Sequence, residues 1–140
     1  MKFRLFLKIL ILMILPNLSF ANTKFFQDGV SLYKNKKFNE AKFKFEQDLV
    51  YNPKNEMSYL YLSKIFENLN NVSLQEQNLN TVILLNPKNE EAIYNLAKLK
   101  LNSSDYSGSK ELNERLTKLC NKFCNQSQKL KTEIENLSKK

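Results

Sequence analysis

The sequence predicts an all-α fold built from stacked helix pairs, and three observations predict it. A tetrapeptide, Asn52-Pro53-Lys54-Asn55, returns as Asn86-Pro87-Lys88-Asn89 after 34 residues. Only two glycines and three prolines occur in 140 residues, too few to punctuate a sheet built on tight turns. Behind each tetrapeptide lies a run, Phe45 to Val50 and Leu79 to Leu84, whose apolar residues share one helical face. A period of this length marks a unit that cannot bury its apolar face alone and must stack on its copies.

The first element does not belong to that stack. Lys2, Arg4 and Lys8 lead into an apolar stretch, Ile9 to Leu15, which meets Pro16 and Asn17 and closes on Ser19-Phe20-Ala21, with small residues where signal peptidase accepts them. Residues 1–21 are expected to be a signal peptide cut before Asn22, which makes the protein periplasmic or secreted. Heavy use of Lys, Asn and Ile fits an AT-rich bacterial genome. A membrane span needs about 20 apolar residues, more than this charge-interrupted run holds. Membrane contact is expected only through a partner or an uncleaved leader. Losing three basic residues and no acidic one lowers the net charge from +8 to +5. The remaining lysines alternate with Asn and Glu, which describes a solvated surface and not a stripe that tracks phosphates, so no nucleic-acid partner is expected.

The remainder divides by the period. Helix pairs are expected at 23–34 with 39–51, 56–69 with 73–85, and 90–101 with 107–119. They make three repeats over 22–124, at about 22–55, 56–89 and 90–123. Gly29, Ser63 and Ala97 align as small residues where two helices can approach closely. Asn55 and Asn89 precede the acidic residues Glu56 and Glu90, a pattern of helix starts where the dipole favours negative charge. Asn39, Ser73 and Ser107 align as expected N-caps, with Ser73 and Glu76 spaced as a capping box. The segment 125–140 is expected to form a capping helix whose Leu130, Ile134 and Leu137 cover the apolar end of the stack.

These residues resemble the tetratricopeptide repeat family over essentially the whole chain after the leader. An aromatic opens the first helix (Phe25, Tyr59, with Ile93 in the third copy), a Leu-small pair follows (Leu62-Ser63, Leu96-Ala97), and an aromatic precedes the second helix (Phe38, Tyr106). A small residue (Ala41, Ser109), a large one (Phe45, Leu79) and a closing proline (Pro53, Pro87) complete the match. Asp28, Asp48, Gln75, Lys100 and Asn113 depart from it by placing polar groups where apolar or small ones are usual. The resemblance implies a right-handed superhelical α-α repeat. It also implies a concave surface, lined by the first helix of each repeat, that holds a protein or peptide. By register that lining comprises Phe26, Val30 and Tyr33, then Leu60, Tyr61 and Lys64, then Tyr94, Asn95 and Lys98. Family members that bind acidic chaperone tails use a clamp of Lys, Asn and Arg. Here the corresponding positions hold Phe26, Val30, Tyr61, Glu91 and Asn95, so that clamp is absent.

Catalytic chemistry finds little to stand on. The chain has no histidine, which removes the commonest general base and metal ligand. Its two glycines, Gly29 and Gly108, lie far apart and form no phosphate-cradling loop. No enzyme activity, small-molecule substrate, metal or cofactor is expected. The only cysteines, Cys120 and Cys124, flank the expected junction between the sixth helix and the capping helix. In an oxidising compartment a structural disulfide there would pin the turn. Free thiols and a redox pair are the alternatives, though two thiolates are too few for a metal and the spacing is not that of thioredoxin-type motifs. The expected role is that of an exported adaptor or assembly factor. It would hold a peptide segment of an envelope, secretion or cytochrome-maturation partner. The competing expectation is a self-associating structural protein with no peptide ligand.

Overall fold

The computed structural model describes residues 23–138, so the signal-peptide expectation and its cleavage site lie outside the described residues. Seven helices follow in order: α1 (Lys24–Lys34), α2 (Phe38–Tyr51), α3 (Glu56–Asn68), α4 (Val72–Leu85), α5 (Glu90–Asn102), α6 (Tyr106–Leu119) and α7 (Cys124–Leu137). Each helix packs on the next, and α5 also touches α7 while α1 also touches α3. The result is an all-α helical-repeat superhelix.

The tetrapeptides work as punctuation with a mechanism. Asn52 and Asn86 are the C-caps of α2 and α4, ended because a residue before proline is pushed out of the helical region. Asn55 and Asn89 are the N-caps of α3 and α5, accepting from the amides of Met57 and Ala92. The turns inside each pair differ from the expectation. The caps there are Lys37, Asn71 and Asp105, two residues before the expected Asn39, Ser73 and Ser107, and the Ser73–Glu76 capping box does not form. The reason lies in the preceding residue. Lys36, Asn70 and Ser104, themselves one period apart, adopt left-handed φ angles of 59°, 54° and 61°, which shortens the turn and starts the helix sooner.

Three apolar clusters follow one another along the chain. Phe26, Ala41, Phe45, Leu62, Ile65 and Phe66 join α1, α2 and α3. Leu60, Leu79, Val82, Ala92, Leu96 and Leu99 join α3, α4 and α5. Ala97 and Leu101 meet Leu130 and Ile134 of α7, which closes the end of the stack. The small-residue column does what its spacing implies. A Cβ on Gly29 would stand 2.9 Å from the Phe45 ring, and Ser63 and Ala97 are buried.

Three of the polar departures from the repeat pattern, Asp48, Asn113 and Lys100, are satisfied locally. Asp48, fully buried, accepts hydrogen bonds from Thr23 Oγ1, from Asn55 Nδ2 at 2.7 Å and from Ser58 Oγ at 2.5 Å. It thereby ties the start of α1, the end of α2 and the start of α3 together. Asn113 donates to the Ser127 carbonyl and accepts from the Ser127 hydroxyl, joining α6 to α7. Lys100 lies 2.6 Å from Glu76 and 3.7 Å from Asp105. The hydrogen bond to Glu76 holds its ammonium above the usual lysine range, against the opposing effect of burial.

At the α6–α7 turn, Cys120 caps α6 and Cys124 opens α7, with Cα atoms 4.9 Å apart and the sulfurs joined. Glu90 at the start of α5 accepts hydrogen bonds from the amides of Asn121, Lys122 and Phe123 at 3.0, 2.8 and 2.8 Å. Burial favours the neutral acid, but the three amides outweigh it and hold the carboxyl below its usual range.

Candidate peptide-binding face

The odd-numbered helices share one face. Tyr33 of α1 meets Tyr61 of α3 edge-on with centroids 5.2 Å apart, and Lys64 of α3 lies 2.6 Å from Glu91 of α5. Helical periodicity turns each odd helix's remaining apolar stripe toward its even-numbered partners, leaving this face as a strip of aromatic, amide and charged groups.

The nine residues assigned to the face by register separate into two groups. Phe26 and Leu60 do not line it, being 8% and 1% exposed. Phe26 packs edge-on against Phe45, and Leu60 sits within the α3–α4–α5 cluster. The cause is the stacking: their column is the one each following repeat covers. Its third member, Tyr94, has no fourth repeat above it. It is half-buried and lies against Phe123 of the α6–α7 turn, ring centroids 5.5 Å apart. Val30, Tyr33 and Tyr61 are half-buried as well. Tyr61 stacks on Phe45 at 4.9 Å and so helps hold the first cluster. Burial pushes the Tyr33 phenol up, opposed by the Lys64 ammonium and reinforced by Glu67, so it stays a neutral donor.

The cations of the face are partly committed. Lys64 also stands over the Tyr61 ring at 5.2 Å, so its charge is shared between a carboxylate and a π face. Lys98, exposed, lies over Tyr94 at 5.8 Å. Beside Asn95 and Lys98 the surface dips into a cavity of about 250 Å³ bounded by the end of α3, the start of α4 and α5. Register did not point to the cavity's other polar residues, Glu67, Asn70, Gln75, Asn102 and Ser103. One signal was present: Gln75 stands in the column of Ala41 and Ser109, a large amide among small residues. Another cavity, about 310 Å³, opens between α6 and α7 around Ile134, away from this face. Among the described residues no group of acidic and thiol side chains is arranged to hold a metal ion, and no helix is long and apolar enough to cross a membrane.

No protein-family model matches the chain, and no curated protein matches it. Solved structures do. The type III secretion chaperone SycD of Yersinia enterocolitica, in complex with a peptide of the translocator YopD, is 16% identical with a TM-score of 0.74 over 84% of this chain and 93% of that one. The TPR2B domain of yeast Sti1, in its complex with pHsp70, is 11% identical at 0.75 over 81% and 95%. The Sgt2 TPR domain of Aspergillus fumigatus is 18% identical at 0.72 over 87% of both chains. The chain therefore has the tetratricopeptide-repeat fold.

Proposed function

We propose that this protein is an exported, non-enzymatic adaptor that holds a peptide segment of another protein on the face of α1, α3 and α5. The observation that carries the reading is the outward strip of Tyr33, Tyr61, Tyr94, Asn95 and Lys98 on helices otherwise committed to packing. Tyrosine and asparagine supply contact area and hydrogen bonds at low entropic loss, which suits an extended peptide. Two of the similar structures hold partners: SycD a peptide of the translocator YopD, the Sti1 domain pHsp70. In this chain the Lys64–Glu91 pair leaves little free positive charge, so the segment is not an acidic carboxyl terminus. The leader over residues 1–21 directs the chain to the periplasm or beyond, where the partner belongs to the envelope, a secretion system or cytochrome maturation. A photo-crosslinking side chain at Asn95 should capture a peptide segment in the native compartment, while the same group at Leu84, 80% exposed on an even-numbered helix, should not. Capture only from Leu84 would place the partner elsewhere.

Self-association is the second reading, and a specific observation favours it. Val50 and Leu84, one period apart, are 77% and 80% exposed, with Tyr51 at 71% beside them. Light scattering that finds a dimer dispersed by Leu84→Glu would support it.

A further inference from the structure

The cavity beside Asn95 and Lys98 gathers four side-chain amides, those of Asn70, Gln75, Asn95 and Asn102. Those of Asn55, Asn71, Asn86, Asn89 and Asn113 are instead engaged in caps or inter-helix bonds. Gln75 is 7% exposed and lines the cavity, yet its side chain makes no hydrogen bond among the described residues. Its amide atoms are not sealed in, because Gln47 Oε1 alone among the described residues is both fully enclosed and unpartnered. An amide open to a cavity completes its hydrogen bonds with whatever enters, water or a polar group of a ligand that displaces it. Asn95, half-buried, and Asn70 and Asn102, exposed, line the same cavity and likewise make no side-chain hydrogen bond among the described residues, while Val72 and Leu99 supply its apolar wall.

We propose that this cavity is a subsite for one neutral carboxamide side chain, an Asn or Gln of the segment bound on the adjacent face. The proposal rests on the peptide-holding reading. Four amides offer both donors and acceptors, which a carboxamide matches at both ends and a carboxylate or ammonium at only one. Lys98 and Glu67 at the rim carry opposite charges, so the site has no net preference for an ion. A volume of about 250 Å³ is below the usual range of small-molecule sites and fits a single side chain.

Side-chain amide resonances of the protein should be followed by NMR during titration with N-acetylglutamine N-methylamide. The N-acetylglutamate and N-acetylleucine analogues serve as comparison probes. Saturable shifts of the Gln75, Asn95 and Asn102 amides are expected with the glutamine probe alone. Gln75→Ala should weaken them about tenfold, the equivalent of one net hydrogen bond, with an unchanged melting curve because Ala41 already occupies this column one repeat earlier. Asn102→Ala, at an exposed rim position, should weaken them independently of any effect at Gln75. No saturable shift, equal binding of the leucine or glutamate probe, or binding indifferent to both substitutions would overturn the proposal. Crosslinking from Asn95 that persists in Gln75→Ala alongside any of those results would leave the peptide-holding face standing and remove only the subsite.

Discussion

Replacing Asp48 by valine probes how the first repeat tolerates a buried charge. Its carboxylate is fully buried and takes part in none of the ion pairs among the described residues. Three donors stabilise it instead: Thr23, Asn55 and Ser58. One period later the positions of Asp48 and Ser58 are held by Val82 and Ala92, both fully buried. Asp48→Val alone strands the buried Ser58 hydroxyl, a loss of about 1 to 3 kcal/mol. Thr23 and Asn55 are half-buried and recover water, adding less. A total near 3 kcal/mol is a large share of a typical stability of about 5 to 15 kcal/mol, and should lower the melting midpoint by roughly 10 °C. Adding Ser58→Ala removes donor and acceptor together and installs the apolar pair of the next repeat. The double variant should recover at least about 2 kcal/mol. Urea denaturation of the wild type, both single variants and the double variant measures this coupling. Additive losses would refute the reasoning, since they would mean that Ser58 does not depend on Asp48.

Four further outcomes are expected. Gly29→Ala should destabilise by about 1 kcal/mol in urea melts, because the clash at 2.9 Å with the Phe45 ring exceeds the gain in helix propensity. Lys36→Gly should stabilise by about 0.5 kcal/mol and Asn70→Gly by less, since asparagine already tolerates the left-handed region; equal gains at both would contradict this. Glu90 has its carboxyl held below the ordinary value of 4.5, so its contribution is present above that value and is lost as pH falls through the depressed one. The Phe123 amide resonance should move over that acidic window in the wild type and stay still in Glu90→Gln. Thiol titration of the protein purified without reductant should find Cys120 and Cys124 blocked until a reductant is added.

Much of the fold was legible because it depends on periodicity. A tetrapeptide repeated after 34 residues sets the register, and an Asn-Pro pair ends a helix for local reasons that no tertiary contact needs to supply. The intra-repeat caps were misplaced because the left-handed residue that sets the turn is Lys36, Asn70 or Ser104, and only asparagine announces that conformation in a sequence. The face was half legible. Register identified which helices line it, but whether Phe26 or Leu60 points to a groove or to the next repeat is decided by a rotation of one position. Asp48, Gln75 and Asn113 read as defects in the pattern. Two are hydrogen-bonded connections between helices and the third opens on a cavity, distinctions that depend on partners distant in the chain.

The succession of three clusters, two closed by helices that follow one another and the third by α5 and α7, has a kinetic consequence. Nearly every stabilising contact lies within about one period of chain, so closing each cluster loses little loop entropy and folding should be fast for the length. A chain delivered amino terminus first can complete the α1–α2–α3 cluster, Asp48 and its three donors included, before α7 has emerged. The last step is then the docking of the α6–α7 turn on Glu90, which leaves the carboxyl-terminal end as the natural point for the stack to open and reclose without disturbing the tyrosines of its first two repeats.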